Sequence, residues 1–157
     1  MNLRVPRSLK LEHEELHEKL RKATSESGEL GRAAKVVAEL MHPHFIKEEQ
    51  YALPPLGLLP KIAKGVFEPA MAEVLSMTDK LRAELPQMLS EHKAIVDALE
   101  ALAERARADN RPEYSEFADK LILHAEAEEE VFYPAALLVG EFCAIEARQV
   151  TRSTGPR

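Results

Sequence analysis

Residues 44–54 read HFIKEEQYALP, and residues 124–134 read HAEAEEEVFYP. In each, a histidine precedes by four positions a glutamate that opens a run of acids, and by ten positions a proline. Val37 and Phe117 occupy the same place ahead of the two histidines. A second matched pair lies upstream: Glu12-His13 aligns with Glu91-His92, and Leu9, Leu16 and Leu20 fall opposite Met88, Ile95 and Leu99. The interval from His13 to His44 is 31 residues, and from His92 to His124 it is 32. The chain therefore reads twice: a helix with one inward histidine, a helix with His-x-x-x-Glu, then a proline. The His-x-x-x-Glu spacing alone is weak evidence. Interval, flanking apolar positions, tandem acids and terminal proline together make the repeat informative.

The rest of the chain is punctuated in a helix-compatible way. Apolar residues at helical spacing predict a first amphipathic helix over residues 8–25 and a second from about residue 33 to 50, with Pro43 kinking or breaking it. Residues 53–69 hold Pro54, Pro55, Pro60 and Pro69 among apolar side chains, and are expected to fold over one end of a bundle. A third helix follows to about residue 109. Pro86 makes it either one long kinked helix or two helices. After a turn at residues 110–112, a fourth helix runs to about Tyr133, where Pro134 marks an end or a bend. Residues 135–147 read as a short C-terminal helix, and residues 151–157 as a frayed tail beyond a single domain of residues 1–150. No useful β alternation appears, so the class is all-α with four main helices.

Composition narrows the function. The 157 residues carry 21 basic and 27 acidic side chains, a formal charge of −6, which disfavours nucleic-acid binding. The single cysteine, Cys143, excludes an intramolecular disulfide or a CxxC motif and fits a reducing cytoplasm. No signal peptide is visible, and the apolar stretches are too short for a membrane span.

On a helical wheel His13, His44, His92 and His124 each lie within about 60° of the apolar stripe of their helix, and Glu48 and Glu128 about 40° from their histidines. Four imidazoles and two carboxylates facing one apolar interior would each cost several kcal/mol unpaired. Cations offset that cost. Imidazole and carboxylate suit iron, manganese or zinc. The six side chains supply about eight ligand positions, where two octahedral metals need about twelve. Exogenous groups would fill the remainder.

The segments LEHEEL, HFIKEEQYALPPL, SEHKAI and LHAEAEEEVFYP resemble, in order and spacing, the hemerythrin-like His-His-Glu cation-binding family. The resemblance spans residues 8–134. It implies an antiparallel four-helix bundle with a non-haem di-iron centre and a bridging oxo or hydroxo group, His13, His44, His92 and His124 as ligands, and Glu48 and Glu128 as bridging carboxylates. Oxygen-carrying members have a fifth histidine one turn from the third-helix ligand. Here those positions are Met88 and Val96, which puts simple oxygen carriage in doubt. His17, one turn after His13, is the alternative fifth nitrogen, with ligand and non-ligand readings evenly balanced. His42 should face solvent. A ferritin-like centre would need Glu-x-x-His on two core-facing helices. Glu14-x-x-His17 and Glu39-x-x-His42 match the string, but the second lies on a polar face and the fourth helix has none.

The leading expectation is a di-iron protein that binds dioxygen, nitric oxide or peroxide in sensing, storage or protection. The alternatives are a redox enzyme for the same molecules and a helical interaction domain without metal. Binding is favoured over catalysis. Tyr51 and Tyr133 read as packing residues at helix ends, with a donor role as the second option. Residues 53–69 or 135–139 could form a homodimer surface, although capping the bundle is the favoured reading.

Overall fold

The computed structural model describes residues 3–153. Helix α1 covers Arg7–Thr24 and α2 covers Gly28–Lys47, running on through a π-helical turn at Glu48–Ala52. A 3-10 turn at Pro54–Leu58, the short α3 at Leu59–Ile62 and a second 3-10 turn at Pro69–Val74 lead into α4, Leu75–Ala108. Helix α5, Pro112–Ala127, passes through another π turn at Glu128–Phe132 into α6, Tyr133–Ser153. No strand occurs among the described residues. Four helical columns, α1, α2, α4 and α5–α6, pack as an all-α bundle in which α4 contacts α2, α5 and α6.

The helices continue through both internal prolines. Helix α4 is one uninterrupted helix of 34 residues across Pro86, and α2 is unbroken at Pro43. Both prolines sit on exposed faces, so water can reach the carbonyl each leaves without its helical donor. The ending of the chain also departs from expectation. The last helix is neither short nor separate: α6 has 21 residues and follows α5 through the π turn. Pro134 falls in its first turn, directly after the π turn. Residues 151–153, expected as tail, are helical, and residues 154–157 lie outside the described residues.

The core has three apolar layers. Leu16, Leu20, Val37, Phe45, Ile95, Leu99, Phe117 and Leu121 fill one end of the bundle. Tyr51, Leu53, Leu56, Leu81, Met88 and Tyr133 form the second layer. Leu58, Met71, Val74, Val139 and Cys143 close the third. The proline-rich segment does cap the bundle, with Leu53, Pro54, Pro55, Leu56 and Leu58 buried and its first 3-10 turn against α6. Helix α6 lies close on α4. A methyl added at Gly140 would stand 2.4 Å from Thr78 Oγ1.

At the opposite end, the Glu26 carboxylate in the α1–α2 turn accepts hydrogen bonds from Arg111 Nη1 at 3.0 Å, from Arg111 Nη2 at 2.8 Å and from the Tyr114 hydroxyl. The Arg111 bonds, and then the Tyr114 bond, push the carboxyl down to about 2 from its ordinary 4.5. A depressed carboxyl stabilises the fold above its unfolded value, and that contribution disappears as pH falls from 4.5 towards about 2. Between those pH values, Glu26→Gln is therefore expected to show a shallower loss of urea-unfolding midpoint with acid than the wild type. Parallel acid slopes for the two proteins would exclude the clamp as a source of stability.

Candidate metal centre

All six residues expected at the centre meet in one polar layer between the first two apolar layers. Helix α1 brings His13, α2 His44, α4 His92 and α5 His124. Glu48 and Glu128 each open a π turn. None of the six is more than 5% exposed.

They form two groups that share Glu128. His44, Glu48, His92 and Glu128 can place one donor atom each within 4.8 Å of the others, and so can His13, His124 and Glu128. Glu48 Oε1 is 3.0 Å from His44 Nε2, while its Oε2 is 3.8 Å from His13 Nε2. Glu128 Oε1 is 2.9 Å from His124 Nε2 and 3.5 Å from His13 Nε2, while its Oε2 is 3.3 Å from His92 Nε2. His13 Nε2 and His124 Nε2 stand 3.1 Å apart. Each carboxylate thus turns one oxygen to each pair of imidazoles.

The outer nitrogens of the histidines also face carboxylates, and these cross between elements in a repeated pattern. His44 Nδ1 lies 2.8 Å from Glu91 Oε2, and His92 Nδ1 lies 2.9 Å from Glu129 Oε1. His124 Nδ1 lies 3.4 Å from Glu12 and His13 Nδ1 3.8 Å from Glu49. Glu12 and Glu91 occupy the same place in the two repeats, as do Glu49 and Glu129. Carboxylates at the outer edge of an imidazole fix its orientation and raise its basicity towards a cation. Lys47 Nζ, 2.6 Å from Glu91 Oε1, holds one of them in place.

The charges in this layer compensate only partly. Burial pulls the His92 imidazole down, but hydrogen bonds to Glu128 and Glu48 outweigh it and push the group up to about 10. Burial raises the Glu128 carboxyl, and hydrogen bonds from His124, His13 and His92 carry it well below its ordinary value. Even so, Glu48 Oε2 and His13 Nδ1 are buried without a hydrogen-bond partner, and Glu128 Oε1, although 2.9 Å from His124 Nε2, has no well-aligned donor. Both orphaned oxygens turn towards the His13–His124 pair. A buried charged acceptor left this way costs more than the 1–3 kcal/mol of a neutral one. A divalent cation between these donors supplies what the protein does not, so the residues fit the group.

The π turns place one residue whose proximity the helical spacing conceals. The Glu48 carbonyl accepts from Leu53 N–H at 2.9 Å, and the Glu128 carbonyl accepts from Tyr133 N–H. At α-helical pitch Tyr133 lies about 180° from His124, whereas the extra residue of a π turn rotates it back by about 100°. Tyr133 is accordingly not a plain packing residue at a helix end. Its hydroxyl donates to Glu48 Oε1 at 2.5 Å, and its ring stacks on His92. Burial and the two nearby carboxylates hold the phenol far above its ordinary range. Tyr51 is a packing residue, donating from its buried ring to Glu84 at 2.7 Å.

His17 joins neither half. It is exposed, and its ring lies on Phe45, with centroids 4.3 Å apart. His42 is exposed as expected. Both line a groove between α1 and α2 that also reaches Glu49.

A family model described as the Hemerythrin HHE cation binding domain matches residues 5–136. The chain belongs to that family. The hemerythrin HHE match takes in both repeats, both π turns and every residue of the buried layer. Among curated proteins and among solved structures, none matches the chain significantly. The buried His and Glu clusters of this hemerythrin HHE domain are consistent with a metal site. No helix among the described residues is long and apolar enough to cross a membrane.

Proposed function

We propose that the protein holds two iron ions, one at His44 and His92 and one at His13 and His124, bridged by Glu48 and Glu128. It binds dioxygen, nitric oxide or a peroxide at positions that the protein donors leave free, in sensing, storage or protection, in a reducing cytoplasm. The observation that carries this reading is the split carboxylates, each with one oxygen towards either pair of imidazoles. Imidazole and carboxylate without thiolate suit iron, manganese or zinc, and zinc has no redox chemistry with which to hold a diatomic molecule reversibly. When bound, the iron pair supplies electrons to the incoming molecule and a charge to hold it. The chain's part is to orient His44 and His92 through hydrogen bonds to Glu91 and Glu129, with Glu12 and Glu49 close to the outer nitrogens of His124 and His13, and to keep bulk water out with the apolar layers on either side. The α1–α2 groove, of about 450 Å³, is lined in part by Glu49, whose carboxylate lies 3.8 Å from His13 Nδ1.

Iron-reconstituted protein is expected to retain one ion for each of the two donor groups and to show near-ultraviolet charge-transfer absorption in air that bleaches on reduction. Protein that retains no iron and has no such absorption overturns the reading. A second reading, redox turnover of the same molecules, is favoured by the Tyr133 phenol inside the centre. Steady-state consumption of peroxide, lost in His124→Ala, supports turnover; stoichiometric binding alone supports the first reading.

A further inference from the structure

The two halves of the centre differ in one side chain. Leu53 and Tyr133 occupy equivalent places: each donates the N–H that closes its π turn, and each precedes one of the paired prolines. The leucine brings no donor. The tyrosine brings a hydroxyl 3.3 Å from His44 Nε2, 3.2 Å from His92 Nε2 and 2.5 Å from Glu48 Oε1. Octahedral bonds of about 2.1 Å set neighbouring donor atoms about 3.0 Å apart. The phenol oxygen therefore stands, relative to both imidazole nitrogens, at the separation of adjacent ligands on one cation. An ion drawn in between His44 and His92 meets it without a helix having to move.

We propose that Tyr133 Oη is itself a ligand of the His44–His92 cation, so that the two metal positions are chemically unequal and the exogenous molecule enters at the His13–His124 position. The proposal rests on the two-cation reading of the centre. The His44–His92 position then has five protein donors: two imidazoles, Glu48 Oε1, Glu128 Oε2 and the phenol oxygen. The His13–His124 position has four: two imidazoles, Glu48 Oε2 and Glu128 Oε1. One ligand shared by both ions closes the first position and leaves a single vacancy at the second. Ligation exchanges the phenol O–H bond for an O–metal bond, and the proton passes to solvent buffer with no change of oxidation state.

The test loads wild type, Tyr133→Phe, Tyr51→Phe and Tyr114→Phe with iron(II) without air, then oxidises them with dioxygen. Iron per chain, the visible phenolate-to-iron(III) absorption and its resonance Raman ring modes are recorded, with circular dichroism as the check on folding. The band is expected in wild type, Tyr51→Phe and Tyr114→Phe and absent from Tyr133→Phe, which should hold one of its ions about 10–100-fold more weakly. Should Tyr133→Phe not fold, the band still assigns itself, because the chain has three tyrosines and the other two are removed singly. Wild type that carries both irons without the band, or a Tyr133→Phe protein that keeps it, overturns the proposal and leaves the metal reading standing. No iron in any of the four proteins overturns both. Azide, added to oxidised wild type, is expected to contribute its own absorption while the phenolate band persists. Displacement of that band would place the vacancy beside Tyr133 and refute the assignment.

Discussion

Stripping the cations with a chelator is expected to lower the melting temperature of the iron-loaded protein by about 10–20 °C. A ligand at a hundredfold excess over its dissociation constant adds about 2.7 kcal/mol to the folded state, and two independent sites add twice that. At this chain length each kcal/mol moves the midpoint by about 2–4 °C. The reason for so large an effect lies in what the metal-free fold must tolerate: two carboxylate oxygens and an imidazole nitrogen sealed from water without a well-aligned hydrogen-bond partner. The unfolded chain solvates the same atoms at no cost, so the cation stabilises only the native state. Differential scanning calorimetry with and without chelator measures the shift. Identical midpoints would mean that these groups find their partners without a metal.

The second large effect is a difference between two substitutions. Glu128→Ala removes an oxygen from both positions at once, and each is expected to lose about 100-fold or more in iron affinity, at least the loss that follows removal of an outer-edge partner. After gel filtration that protein should be almost free of iron. His13→Ala removes a donor from one position, and its product should keep the ion between His44 and His92. The contrast isolates bridging from simple ligation. If Glu128→Ala retains one tightly held ion, the carboxylate serves a single position, and the shared-carboxylate arrangement fails.

Much of this was legible before any coordinates. The four inward histidines and both glutamates were recoverable because helical periodicity is local: a side chain four residues from its neighbour lies on the same face whatever the tertiary structure does. What escaped was of two kinds. The π turns at Glu48 and Glu128 shift a hydrogen bond by one residue, a slip no composition marks, and without that slip nothing in the sequence raises the donor role of Tyr133 above packing at a helix end. Glu12, Glu49, Glu91 and Glu129 escaped as specific partners because their contacts join different helices, and a pattern within one helix carries no information about what it packs against. The alignment of Glu12 with Glu91, and of Glu49 with Glu129, was nevertheless the available hint. The prolines left alternatives open that only the structure closes: α2 and α4 run on through Pro43 and Pro86, and at Pro134 the chain passes from a π turn into α6.

The outer carboxylates tie the two repeats to each other. Glu49 serves His13 and Glu129 serves His92 within their own repeats, but Glu12 serves His124 and Glu91 serves His44 across the divide. One repeat alone would leave one of its imidazoles without an anchor. Two identical repeats related by a twofold axis would supply each other's missing group and assemble the whole double set. The single chain thus carries the arrangement of a symmetric pair. Because both halves lie in one chain, one place can hold tyrosine while its counterpart holds leucine.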